Sequence, residues 1–320
     1  MRFILSVTIP IYLLIAVGFL AVRSGLFQKA EMRVLGRFVV NFCLPALVFN
    51  ALAQRSVAEV LHPSYLLAYG LATLTLQLGG LWLARRVGGR SLSVAAMRGL
   101  GVSASNSGFI GLPIAQQLIG PVAGVVLALN MVIENLVTIP LALALADSGA
   151  QPQSRLWGAV STSLRGLLRS PLILAILAGL ACALTGLRLP EPVARTVQLV
   201  STASSPLALF LIGGTLVGLR LGGLLGQVVQ VVFGKLVLMP LAVAACLWAC
   251  AWLFGPIDPL MRTGAVLMAA MPMLSVYPVL AQKYHDEDFC AAALLATTVT
   301  SFFTISALIW GLGELDGWLP

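Results

Sequence analysis

Ten apolar runs, most of them about twenty residues long and sparing in charge, decide what this chain can fold into: 3–23, 34–54, 64–84, 93–118, 121–146, 170–187, 194–219, 227–254, 260–283 and 288–312. About 20 helical residues cross the hydrocarbon core of a bilayer. In that medium a backbone must satisfy its own hydrogen bonds, which leaves helices and closed barrels. Only 9% of residues are charged and 59% are hydrophobic, against about 25% charged in soluble domains. The pattern predicts an all-α polytopic membrane protein with ten spans. Arg2 ahead of the first run imitates a secretory signal. The run is too long for one, has no clear small-x-small cleavage site and is followed by nine more, so it is expected to remain as the first span.

The formal charge of +8 does not point to nucleic acid, because the basic residues alternate between the two sides of the membrane. With the N-terminus outside, the inner side collects Arg23, Lys29, Arg33, Arg37, Arg85, Arg86, Arg90, Arg98, Arg155, Arg165, Arg169, Arg220, Lys235 and Lys283. The outer side receives Arg2, Arg55, Arg188, Arg195 and Arg262. Fourteen against five, of 19 in all, is the positive-inside pattern. Assigning Arg98 and Lys235 to spans still leaves twelve against five. The expectation is a cytoplasmic (inner) membrane protein with both termini outside.

The most polar internal stretch, Asp147-Ser-Gly-Ala-Gln-Pro-Gln-Ser-Arg155, divides the spans five and five. An odd number per half inverts the second half relative to the first. The halves match weakly in order: Pro45-Ala-Leu-Val-Phe49 with Pro206-Leu-Ala-Leu-Phe210, and Pro113-Ile-Ala-Gln116 with Pro278-Val-Leu-Ala-Gln282. This gives a first repeat over 1–146, a cytoplasmic connection over 147–169 and a second repeat over 170–320. Spans four and nine are interrupted at corresponding places, by Ser105-Asn-Ser-Gly-Phe-Ile-Gly-Leu-Pro113 and Met271-Pro-Met-Leu-Ser-Val-Tyr-Pro278. Proline removes a backbone donor and clashes with the preceding turn. Unwound backbone survives at membrane depth only where protein or a watery cavity covers it. Paired interruptions in two halves are the best sequence pointer to a transporter's substrate site.

Asn41-Phe-Cys-Leu-Pro-Ala-Leu-Val-Phe49, Asn106-Ser-Gly-Phe-Ile-Gly-Leu-Pro-Ile114 and Ala270-Met-Pro-Met-Leu-Ser-Val-Tyr-Pro-Val-Leu-Ala281 resemble the auxin efflux carrier family, whose members include bacterial malate and malonate permeases and plant auxin exporters. The resemblance runs through essentially the whole chain. It implies a ten-helix inverted repeat with spans four and nine crossing at the midplane. It also implies a dimer-forming scaffold of spans one, two, six and seven beside a mobile transport domain of spans three to five and eight to ten. The plant exporters carry a long loop between spans five and six, where this chain has about 23 residues, so auxin is a poor first guess.

Half-helices starting near Pro113 and Pro278 would aim freed amides and positive dipole ends at one point, which favours an anion. The candidate substrate-binding residues are Ser105, Asn106, Gly108, Gly111, Pro113, Asn130, Pro272, Ser275, Tyr277 and Pro278. Ser275 and Tyr277 have packing roles as the alternative. Glu134 is the one carboxylate well inside a predicted span, at a cost of about 2.5–3.5 kcal/mol if charged. It lines the site, carries a coupling proton, or is protonated and ties helices together. Asn130 and Thr138 extend it into a polar stripe, echoed by Thr297, Ser301 and Thr304 on span ten. Both stripes are expected to face the crossing helices. Asn41, Asn50 and Gln77 are weaker candidates, because buried amides often only join helices.

Several patterns carry no chemistry. Gly99-Leu-Gly-Val-Ser-Ala104 follows no strand, so it is not a dinucleotide loop. Gly214-Thr-Leu-Val-Gly218 is a helix-packing pattern for a dimer or an internal contact. His285-Asp-Glu-Asp288 is read as a solvated cap on span ten rather than a metal site. The five cysteines have neither metal nor redox spacing. No cofactor, metal, nucleic-acid partner or enzymatic activity is expected. The reading is a secondary transporter moving a small organic anion, a mono- or dicarboxylate such as malate or malonate, or an auxin-like one, by alternating access. The alternative is a channel or sensor for such anions.

Overall fold

The computed structural model describes residues 2–53, 62–150, 171–187, 189–218 and 225–316. Its helices, in chain order, are α1 (Arg2–Arg23), α2 (Lys29–Ala53), α3 (Pro63–Arg86), α4 (Leu92–Ser103), α5 (Leu112–Ile119), α6 (Val122–Ala150), α7 (Pro171–Thr185), α8 (Glu191–Leu216), α9 (Gly226–Phe254), α10 (Pro259–Ala269), α11 (Tyr277–Ala281) and α12 (Glu287–Asp316). No strand occurs among the described residues. Six of these helices, α2, α3, α6, α8, α9 and α12, are long and apolar enough to cross a membrane. Predicted spans four and nine appear as the broken pairs α4/α5 and α10/α11. The predicted connection over 147–169 begins as the last turn of α6, and its remainder lies outside the described residues.

Helix ends follow local chemistry. Ser91 caps α4 through the Val94 N–H, and Asp258 caps α10 through Met261 N–H at 3.1 Å, with Pro259 next in line. Arg85 and Arg86 close α3, where the dipole favours cations.

Within the longer helices a second pattern recurs. Four π turns, Val39–Cys43, Ser107–Gly111, Glu134–Thr138 and Gly234–Leu238, are each followed two residues later by a proline: Pro45, Pro113, Pro140 and Pro240. A proline offers no N–H to the carbonyl four residues back, and its ring strikes that carbonyl. Widening the turn ahead of it to i→i+5 bonding moves the carbonyl aside. π-bulges of this kind collect at functional sites.

The interior and exterior are composed in reverse of a soluble protein. Trp82, Trp248, Trp252 and Phe303 are exposed, while Ser103, Ser105, Ser107, Asn130, Glu134 and Lys235 are buried. That is the arrangement expected when the solvent is hydrocarbon and small or polar residues join the helices. Glycines set the closest approaches. Gly18 of α1 lies against the Phe210 carbonyl and Gly213 of α8 against the Ile15 carbonyl, so a Cβ at either would force the two helices apart. Gly214 faces Met32, which makes the Gly214–Gly218 pattern an internal contact at that glycine. Gly99 sits on the Gln77 carbonyl of α3, so the glycines that imitate a dinucleotide loop are packing positions. α7 packs on the second half of α2, α3 packs on α4 and α9, α4 on α6, and α11 on α12.

Candidate functional site

The two breaks touch. The Asn106 N–H donates to the Pro272 carbonyl at 2.7 Å, and Asn106 Nδ2 donates to Ser275 Oγ at 2.8 Å. Asn106 Oδ1 accepts the Phe109 N–H at 3.3 Å and so caps the turn beyond the break. The second half-helix of the first break therefore starts at Ser107, a turn earlier than Pro113 suggests. Gly111 leaves room for Met271, whose Cγ would lie 3.0 Å from a Cβ there. Gly108 lies between Leu44 and Met131. Pro113 is buried as the second residue of α5.

Two buried ionisable side chains meet these breaks through one serine. Glu134 Oε1 accepts the Ser105 N–H and the Tyr69 hydroxyl, both at 3.1 Å. Lys235 Nζ donates to Ser105 Oγ at 2.8 Å and to the Ala269 carbonyl at 2.6 Å. Each of the two sits in one of the π turns that a proline enforces, Glu134 on α6 and Lys235 on α9. Ala269 is the last residue of α10, so the ammonium rests on the negative end of that helix. Glu134 Oε2, Asn130 Nδ2 and Ser107 Oγ are buried without a hydrogen-bond partner. Buried polar groups in that condition are uncommon and call for an explanation, such as a ligand or water.

The electrostatics differ from two converging helix N-termini. The Ser107–Ile119 segment supplies one positive end, but α11 is five residues long and contributes little. Lys235 brings the positive charge on the other side.

The remaining candidates divide. Asn130 Oδ1 accepts the Tyr65 hydroxyl at 2.8 Å, and Gln77 Nε2 donates to the Thr138 carbonyl at 2.9 Å. The stripe of Asn130, Glu134 and Thr138 thus faces Tyr65, Tyr69 and Gln77 of α3, with Glu134 alone also bonded to the break. Tyr277 is buried with its hydroxyl on the Met97 carbonyl at 3.0 Å, over Gly101, and Pro278 is half-buried in α11. Thr297, Thr304 and Ser301 bond back to their own helix, and Ser301 also meets the Tyr12 hydroxyl. Asn41 bonds the Arg37 carbonyl, and Asn50 bonds Gln198 beside a cavity of about 520 Å³ between α2, α7 and α8, away from the two breaks. Asp286 does not merely cap α12 from solvent. It pairs with Arg98 of α4 at 3.3 Å, and Arg98 also donates to Gln227 at 2.7 Å and covers the Phe289 ring. Burial pushes the Asp286 carboxyl up, against the pull of the Arg98 guanidinium. Among the described residues no cluster of three metal-ligating side chains occurs.

An apolar exterior, helices of bilayer length and a polar interior centred on two interlocked breaks define an integral membrane protein of the transporter class. The sequence profile of a family described as "Membrane transport protein" matches residues 3–310, and the chain belongs to this family, that of the auxin efflux carriers. It is 29% identical over 314 residues to a "Putative malonate transporter" of Rhizobium meliloti (strain 1021), covering 96% of this chain and 95% of that one. It is 24% identical to the "Uncharacterized transporter YfdV" of Escherichia coli (strain K12), over 97% of each chain. An "Uncharacterized transporter" of Methanothermobacter thermautotrophicus is 25% identical over 95% of this chain and 96% of its own.

Proposed function

We propose that this protein is a secondary transporter of small organic anions of the mono- and dicarboxylate class, malonate and malate foremost, and that it works by alternating access. The observation that carries the reading is the bond between the breaks, Asn106 N–H to Pro272 carbonyl, with a buried ammonium and a buried carboxylate on the adjoining serine. Discontinuous helices meeting in this way present amides, carbonyls and charges to a small ionic ligand. Asn106, Ser105, Ser107 and Lys235 would surround the substrate, with Gly108 and Gly111 allowing close approach. Glu134 would take up a proton when the anion binds, since a bare carboxylate beside an anion repels it. The relative named for malonate supports the substrate class.

The proposal has ten spans in two inverted halves of five. Exchange of the halves turns the packing of α1 on α8 into that of α7 on α2, and both packings are present. These helices would form the scaffold and a dimer interface, while α3–α6 and α9–α12 would move. Both termini lie outside in this topology, following the twelve-to-five asymmetry of Lys and Arg that remains with the buried Arg98 and Lys235 left out. Purified protein in liposomes, tested with labelled malonate and malate, decides the reading. Saturable uptake accelerated by unlabelled substrate on the opposite side is expected. Non-saturating flux without that acceleration would make it a channel, and binding without flux a sensor.

A further inference from the structure

Lys235 is fully buried, on a helix the sequence marks only as one more apolar run, and its ammonium contacts two neutral oxygens, the Ala269 carbonyl and Ser105 Oγ. A lone amine at this depth is costly and is kept for a purpose. The place it occupies is informative. Unwound carbonyls and the C-terminal ends of half-helices are where broken-helix transporters hold their coupling cation, and Ala269 is such an end. Its neighbours are the donors an alkali ion takes: a main-chain carbonyl, a hydroxyl and, on the same serine's N–H, the Glu134 carboxylate, whose Oε2 is buried and unpartnered.

We propose that Lys235 is a tethered cation, filling from within the chain a monovalent-cation site made by Ala269, Ser105 and Glu134, so that this protein works without sodium and acquires a sodium site when the amine is removed. This rests on the reading of the crossing as the transport site and adds its coupling chemistry. The ammonium carries the same unit charge as Na⁺ and donates to oxygens that would otherwise coordinate the ion. It cannot leave with the substrate. The site therefore stays filled through the cycle, and no metal cation needs to load before the anion binds. Truncation at Cβ opens a polar space lined by two neutral oxygens and bordered by the Glu134 carboxylate, which is a place for Na⁺ with water completing its shell.

The test is thermal unfolding of the purified full-length protein in detergent, in NaCl against choline chloride at equal ionic strength, which requires no substrate. Wild type should unfold at the same temperature in both. Lys235→Ala should be less stable in choline and gain about 3 °C or more in sodium, with saturation, by mass action on the folded state. Adding Glu134→Gln should abolish that gain. Lys235→Ser, which leaves a hydroxyl at the site, repeats the measurement if the alanine variant is recovered poorly. A sodium shift in wild type, no shift in either variant, or failure to recover both variants even in sodium would each overturn the proposal. Failure of the liposome assay to show carboxylate uptake, with the variant's sodium shift intact, would instead count against the substrate class alone.

Discussion

Asn106 is the residue through which the two breaks hold each other, and two substitutions there separate structure from charge. Asn106→Ala removes the cap on Phe109 N–H, worth about 1 kcal/mol. It also removes the 2.8 Å bond to Ser275 Oγ, worth about another 1 kcal/mol. The backbone bond to Pro272 can persist, and the Ser275 hydroxyl can rotate toward another acceptor, so about 2 kcal/mol is the expected total. At roughly 2–4 °C per kcal/mol for a chain of this order, the melting temperature should fall by about 4–8 °C. Asn106→Asp keeps the capping oxygen and accepts a bond from Ser275 in place of donating one, so it should cost less than about 1 kcal/mol. It also puts a negative charge where the substrate anion is proposed to sit. The expectation is a stable Asn106→Asp protein whose malonate uptake falls by at least about tenfold, a barrier change of about 1.4 kcal/mol. Liposome uptake and thermal unfolding on the same preparations give both quantities. An Asn106→Asp variant that transports at the wild-type rate would refute the placement of an anion at the crossing.

Pro113→Ala restores an N–H that can bond the Phe109 carbonyl, letting the π turn over Ser107–Gly111 tighten and rotate Asn106 away from Pro272; uptake should fall about tenfold while folding and insertion persist, as uptake assays and size-exclusion profiles will show. Glu134→Gln keeps an oxygen for the Ser105 and Tyr69 donors but cannot exchange a proton, so it should bind malonate with weakened pH dependence and fail to accumulate it in a proton gradient; full accumulation would remove the proton-coupling role. Arg98→Met leaves the partly buried Asp286 without its paired cation, with Arg90 still acting on it, and should destabilise by about 2 kcal/mol near neutral pH. Because burial already raises the Asp286 pKa, loss of the guanidinium raises it further. Protonation then relieves the variant, and its melting-temperature deficit should shrink as the pH falls from 7 toward 5.

The breaks were legible in the sequence because glycine and proline declare their backbone chemistry wherever they stand. Their register was less so: Pro113 marks the helix one turn late, since the π turn it enforces, and not the proline, begins the segment. Lys235 could be assigned to a span but not to a role, although Pro240 stands two residues beyond its π turn as a proline does beyond the other three. Tyr65 and Tyr69 read as ordinary aromatics near the start of a span. Only their four-residue spacing, the same as that of Asn130 and Glu134, anticipates the two rungs they form. The pair of Arg98 with Asp286 is separated by 188 positions and has no local signal at all.

The most direct measurement concerns Ser107, buried at the first break, where the proposed crossing lies, with a hydroxyl that has no partner. Ser107→Cys is nearly isosteric and can be placed in a chain whose five native cysteines, all free, have been replaced. If the crossing is a substrate site exposed in turn to each side, a small membrane-impermeant thiol reagent should label this cysteine from outside intact cells and also from the inner face of inverted vesicles. Malonate should protect it in both preparations. Labelling from one side only, or a cysteine whose reactivity is indifferent to substrate in a protein that still transports, would contradict alternating access at the crossing.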